Sequence, residues 1–272
     1  MKAPTLGYPA RLLNRPLLLL PEHLAALSAM ERDRAAGYVE IDDIDQPPAP
    51  ETLGQIAVIP VCGVLTNSRD WWFCGSSYGD ITASFIEAMG DDSVKAIVLR
   101  VDSPGGECAG CAEVGDLIYA ARGEKPMVAI LDPYACSAAY WLASACDLVT
   151  IPAAGMSGSI GAIQLHVDVT KMLSNAGIKV TTIQYGDEKS DGYPTTKLSD
   201  AALARFQADI DLIGEDFVAA VARNRGLSAD AVRATQARAY LGVNGVTAGL
   251  VDAVMSPTEA FAELMASLRE VD

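Results

Sequence analysis

With 272 residues, half of them hydrophobic, the chain can form one large domain or two small ones around a sizeable core. A formal net charge of −15 and a pI near 4.5, with no basic stripe, exclude a protein built to grip phosphate backbones. No apolar run approaches the roughly 20 residues of a membrane-spanning helix. The start also lacks the long apolar stretch and small-residue cleavage site of a signal peptide, so no membrane anchor is expected and the protein is expected to act in the cytoplasm where it is made.

Residues 1–45 read as an arm. Its one apolar run, Leu17 to Leu20, lies between Pro16 and Pro21, and Pro21 to Arg34 reads as a short helix with proline in its first turn. Ile41 to Pro50 is acidic and proline-rich and reads as a linker, so the arm and linker together take residues 1–54 and a second unit takes 55–272. From Gln55 the pattern becomes that of strands alternating with helices. Strands are expected at Ile56–Val61, Gly63–Thr66, Val94–Val101, Met127–Leu131, Leu148–Ile151, Ile160–Val167 and Ile178–Gln184. Two of these, Val94–Val101 and Met127–Leu131, are almost continuously apolar, as strands buried on both faces are. Helices are expected at Asp80–Met89, Cys108–Ala121, Ala138–Ala145, Val169–Ala176 (closed by Gly177), Ser199 to about Arg225, Ala229–Ala234 and Thr258–Arg269. This alternation predicts an α/β fold with a parallel sheet, flanking helices and right-handed crossovers. Cys62, Cys74, Cys108, Cys111, Cys136 and Cys146 mostly have small or apolar neighbours, which indicates buried free thiols in a reducing compartment.

Two stretches carry chemistry. In Asp102-Ser103-Pro104-Gly105-Gly106 a strand runs into glycines that can take positive φ and turn their N–H groups outward. In Tyr134-Ala135-Cys136-Ser137-Ala138-Ala139-Tyr140 a serine is delivered to the start of a helix, among neighbours small enough for a peptide to approach. A hydroxyl at the positive end of a helix, close to free backbone donors, is equipment for acyl transfer. The plain alternative for Ser137 is an N-cap, and for the glycine pair a tight turn. The base is open on residues alone. His23 lies in the arm and His166 ends a strand. A lysine base must be held neutral, with the ordinary lysine pKa of about 10.4 lowered to roughly 7–8. Lys189, in the polar loop Tyr185–Gly192, is the first lysine candidate, ahead of Lys171, Lys179 and Lys197, although Asp187 and Glu188 beside it favour the charged form.

Three other motifs have structural readings. Gly75-Ser76-Ser77-Tyr78-Gly79 matches G-x-S-x-G but follows Trp71-Trp72-Phe73-Cys74, which is not a core strand, and reads as a loop. Cys108-Ala109-Gly110-Cys111 has no second ligand pair for a metal and reads as two packed thiols. Ser157-Gly158-Ser159-Ile160-Gly161 lacks the lysine of a phosphate loop and reads as a strand-entry turn. Neither a cofactor nor a metal is called for.

In order along the chain come Ile97–Gly106, Ala135–Tyr140, Ser157–Gly161, then Ala176–Lys179 with Gly186 and Lys189, and Gly245–Asp252. With these the sequence resembles the signal-peptide-peptidase-A-like serine peptidases, relatives of the Clp protease proteolytic subunit, over roughly residues 55–255. The resemblance implies a Clp-protease/crotonase-like spiral of β-β-α units. It implies a Ser137–Lys189 dyad, an oxyanion hole from the N–H groups of Gly105 or Gly106 and of Ala138, and a peptide path along Ser157, Gly158 and Ser159. It also implies homo-oligomeric rings in which serine and lysine can come from neighbouring subunits. The proline-bracketed arm looks like that of the phage head maturation branch, whose members cut scaffold and capsid proteins inside the assembling prohead. Since no C-terminal scaffolding segment is visible, the chain is expected to be a standalone or trimmed protease. The substrate is then a protein or peptide. Other readings are a bacterial signal-peptide or general peptide peptidase, a crotonase-type acyl-CoA enzyme with Glu107 and Glu113 as its nearest acids, and a catalytically silent scaffold. The arm itself reads either as a cleavable pro-segment or as a strap on a neighbouring subunit.

Overall fold

The computed structural model describes residues 15–23, 47–68 and 75–269. Its centre is a sheet in which β3 (Ile56–Leu65), β4 (Ala96–Glu107), β5 (Met127–Cys136), β6 (Leu148–Ile151) and β9 (Ala253–Val254) run parallel in that order. Short strands join it. β1 (Leu17–Leu19) lies antiparallel to the end of β4, and β2 (Glu51–Leu53) is antiparallel to the start of β3. β7 (Met156–Gly158) is parallel to the end of β5 and antiparallel to β8 (Ala239–Leu241). The result is the mostly parallel α/β sheet flanked by helices that the strand–helix alternation predicts.

Both faces are buried, which explains the unbroken apolar runs. Ile59, Val61, Leu99, Val101 and Leu131 face α1 (Tyr78–Gly90), α2 (Cys111–Ala120), α3 (Ala138–Ser144) and α5 (Asp200–Arg225) in the main core. Their alternates Ile56, Val58, Val98, Val128 and Ile130 face α8 (Pro257–Arg269) through Ala260 and Leu264. The shorter helices are α4 (Thr170–Asn175), α6 (Ala229–Arg233) and α7 (Val243–Thr247). Side-chain caps start α1, α5 and α6: Ser77, Ser199 and Ser228 accept from Asp80 N, Ala202 N and Ala231 N. Gly226, at φ 65°, ends α5.

The central strands are longer than expected because each continues past an irregularity. The β3–β4 register shifts between Cys62 and Val64, at Gly63 with φ 63°, and the two expected strands there are one. The β4–β5 register shifts between Val101 and Ser103. Beyond these points β4 does not turn into a helix at the glycines. It runs on to Glu107, with Gly105 and Gly106 paired to Val64 and Leu65. Ser103 pins the bend, its Oγ donating to Gly63 O at 2.6 Å and accepting from Gly105 N at 3.2 Å.

Two expected strands are absent from the described ladders. Ile160–Val167 makes one isolated bridge, Leu17 with Ile163, and Ile178–Gln184 makes none. Both carry strand-like residues, but among the described residues neither pairs beyond that single bridge. The helix expected at Pro21–Arg34 is seen only as a helical turn over Pro21–His23, the rest lying outside the described residues, as do Cys74 and the aromatic run before it. Cys62, Cys108, Cys111, Cys136 and Cys146 are free thiols.

Helix α3 lies at the centre of the main core with every residue buried. Trp141 stacks on Phe217 of α5 with ring centroids 4.6 Å apart. Arg122 donates to the carbonyls of Ser144, Ala145 and Cys146 at the end of the helix, a cation at its negative end. The buried Tyr140 hydroxyl donates to Leu250 O at 2.6 Å. Tyr140→Phe strands that carbonyl and is expected to lower stability by about 1–3 kcal/mol, read as a lower urea midpoint with an unchanged slope.

Candidate active site

Ser137 joins β5 to α3 at φ 55° and ψ −125°. An L-residue takes up this conformation at a strain of about 1–3 kcal/mol, so the surroundings must impose it. They do so through the backbone: Ser137 N donates to Gly158 O at 2.8 Å, and Ser137 O accepts from Trp141 N at 3.0 Å. Its side chain makes no cap hydrogen bond to the helix. The N-cap alternative therefore fails, and the hydroxyl is left for other use.

The glycine pair stands against this turn. A Cβ built on Gly105, which has φ 102°, would come 2.1 Å from Leu18 O and 2.9 Å from Ser137 Cβ. One built on Gly106 would come 1.9 Å from Leu65 O. No side chain fits at either position. Gly105 N is turned to Ser103 Oγ, whereas Gly106 is the register partner of Leu18 in β1. Ala138 N lies in the first turn of α3, among the N–H groups that a helix leaves without an internal partner. Ser137, Gly105, Gly106 and Ala138 are thus brought together.

Ser157, Gly158 and Ser159 support the serine's backbone. Gly158 supplies the carbonyl that holds Ser137 N, Ser159 N donates to Arg238 O, and Ser157 is fully buried in β7. Gly245 leaves room for Ser157, since a Cβ there would lie 2.7 Å from its Oγ. The Gly245–Asp252 motif is structural in the same way. Leu250 O receives Tyr140, while Asp252 holds Val149 N at 2.7 Å and pairs with Arg225 at 2.7 Å.

The candidate bases are elsewhere. Lys189 is exposed in a loop whose acids Glu188 and Asp191 pair with Arg205. Among the described residues no hydrogen bond joins Lys189 to Ser137. Lys171, Lys179 and Lys197 are exposed as well. His166 Nδ1 lies 3.2 Å from Gly192 O, and its Nε2 is buried without a partner among the described residues. His23 lies against Tyr134 with the rings tilted at 54° and their centroids 6.2 Å apart. The G-x-S-x-G serines are structural: Ser76 bridges Pro60 O and Cys62 N, and Ser77 caps α1. Cys111 is buried with Sγ donating to Ala138 O, and burial pushes the Cys108 thiol up to about 12. Among the described residues no cluster of ligating side chains could hold a metal.

Sequence reasoning missed the residues that crowd the site from the arm side. Leu17, Leu18, Leu19 and Leu20 are buried, and Glu107 is only 4% exposed, accepting from Arg15 Nη1 at 3.0 Å and from Asn67 N at 2.8 Å. The signal was present, because four leucines between prolines have the length of a short strand.

A strained serine at a strand-to-helix turn, beside a side-chain-free stretch of strand on an α/β sheet, is an arrangement suited to acyl transfer. The sequence pattern of Peptidase family S49 matches residues 120–272, which include Ser137. The chain belongs to that family. It is 37% identical over 216 residues to the head-tail preconnector protein GP5 of Enterobacteria phage P21, a match covering 78% of this chain and 43% of that protein. It is 32% identical over 213 residues to the capsid assembly protease C of Escherichia phage lambda, covering 77% and 48%. Protease 4 of Salmonella typhi is 29% identical over 225 residues, covering 78% and 34%. The chain thus spans less than half the length of each of these relatives. No described helix is long and apolar enough to cross a membrane.

Gly105→Ala, by displacing the Ser137 turn, is expected to slow fluorophosphonate labelling of Ser137 by about 100-fold in a protein that keeps its circular dichroism spectrum. A second expectation concerns pH. Burial, reinforced by Glu22, pushes the Cys136 thiol from 9.0 up to about 12. The folded chain then keeps a proton that the unfolded chain releases, so this contribution is complete below pH 9 and is lost progressively as pH rises towards 12. Urea midpoints measured above pH 9 should fall less steeply for Cys136→Ala than for the unaltered chain.

Proposed function

We propose that the chain is a serine endopeptidase in which Ser137 attacks a peptide carbonyl and Lys189 serves as its base. The observation that carries this reading is the Ser137 turn: strained, held by backbone hydrogen bonds, uncapped, and next to Gly105 and Ala138. In the acylation step the neutral Lys189 amine takes the Ser137 Oγ proton as Oγ bonds to the carbonyl carbon. The oxyanion is received by Gly106 N–H and Ala138 N–H, because Gly105 N–H is turned to Ser103. The Lys189 ammonium then protonates the leaving amine, and water releases the acyl group by the reverse proton path. Ser157, Gly158 and Ser159 act by holding Ser137, and the outer wall of the peptide groove is Ile163.

The lysine reaches the serine of a neighbouring copy. Supporting this, Lys189 is exposed in a single chain, and the segment leading to it exposes Ile178, Val180, Ile183 and Tyr185, the last two almost completely (96% and 101%). A subunit covering that apolar run would shelter the amine from water, which favours its neutral form. The likeness to a phage capsid assembly protease and a head-tail preconnector protein supports proteins of an assembling phage head as substrates.

Ser137→Ala is expected to abolish cleavage of a denatured protein substrate, and Lys189→Ala to reduce it by about 10³-fold or more. Mixing the two inactive variants should restore part of the activity, because some interfaces then carry both an intact serine and an intact lysine. Full activity of Lys189→Ala together with its loss in His166→Ala would move the base to the histidine.

A further inference from the structure

The short strand β1 lies where an extended peptide would have to lie. On one side Leu17, Leu18 and Leu19 pair antiparallel with Glu107, Gly106 and Gly105. On the other, Leu17 N donates to Ile163 O at 2.8 Å and Ile163 N to Leu17 O at 2.9 Å. Leu20 N donates to Pro104 O at 3.1 Å. The segment is therefore a strand inserted between two edges, which is how a sheet recognises an extended ligand. Its Leu18 carbonyl and the Ser137 Cβ crowd the same point above Gly105. Ser137 is 1% exposed with the segment in place.

Side chains add to the fit. Leu18 and Arg15 line a cavity of about 540 Å³ with Glu113, Trp141, Ile213 and Asp216. Arg15 reaches the buried Glu107 carboxylate. The groove thus holds a leucine beside the serine and a cation three residues before it, the cation facing an acidic rim. An occupant on the same chain competes intramolecularly, at an effective concentration that a free peptide must exceed.

We propose that Arg15–Leu20 is a built-in occupant of the peptide groove that withdraws before a substrate strand can enter, and that the groove prefers strands with a basic residue three positions before a leucine. This rests on the peptidase reading above for the identity of the groove, and adds its regulation and preference.

The test uses the full chain carrying Ser137→Ala, so that no turnover intervenes, and a labelled acetyl-Arg-Pro-Leu-Leu-Leu-Leu-amide probe. Affinity is measured with the arm unaltered, with Leu18→Asp, and with residues 42–45 replaced by the recognition sequence of an unrelated site-specific protease. In the last form the arm is cut after folding and removed by gel filtration. Loss of the tethered competitor is expected to raise probe affinity by about tenfold or more. A probe with glutamate in place of arginine should bind the freed groove more weakly. Equal affinity before and after cutting, or no binding in either form, overturns the proposal. Should Leu18→Asp not fold, the cut chain decides, since it is folded before it is cut. Hydrolysis by the chain with Ser137 intact separates the two readings. No hydrolysis in any form, with the affinity difference preserved, removes the peptidase reading and keeps the occupant. Hydrolysis equally fast before and after cutting, with equal probe affinity, removes the occupant and keeps the peptidase.

Discussion

A serine at φ 55° does not rest there unaided, and the site depends on the two hydrogen bonds that hold its backbone, from Ser137 N to Gly158 O and from Trp141 N to Ser137 O. The first needs β7 alongside the end of β5, with β8 behind it. The second needs α3 seated in the core, which Trp141 on Phe217, Tyr140 on Leu250 and Arg122 at the helix end secure. With the backbone held from both sides, the hydroxyl has no capping duty. Strain in the turn is thus supported by packing that extends through α3 to α5 and the Leu250 segment.

The parallel core was legible because its strands are buried on both faces and therefore read as continuous apolar runs, and because serine caps and Gly226 mark helix ends. The strand-to-helix turn at Ser137 was legible through its small neighbours and its place before a helix. What misled was the glycine pair. Its composition suggests a turn into a helix, yet tertiary pairing to Val64, Leu65 and β1 keeps it in the strand, since glycine alone admits the neighbouring backbones so closely. The same override ran the other way at Ile178–Gln184, where strand-like residues find no partner strand among the described residues. Local composition reports what a segment is able to form, and only the partner decides what it does form.

Residues 164–198 differ from the rest of the body. They carry Lys189 and large exposed apolar side chains, and among the described residues they belong to no ladder. In the proposed dyad the serine is set in the core, while Lys189 lies on the exposed surface of that segment. The Ser137 turn could be argued from local sequence because its surroundings are the core, whereas an exposed lysine among acids carries no such local signal.

The register shifts after Cys62 and Val101 divide the central strands into lower and upper halves. Below, side chains fill two cores and tolerate exchange for others of similar volume. Above, Gly105 and Gly106 exclude even a methyl group, and what faces the Ser137 turn there is peptide backbone. Amide groups of the main chain are the same in every residue but proline, so no ordinary substitution removes them. Such a surface can be spoiled only by moving it, which ties its inheritance to shape and leaves the identity of its side chains with little to say.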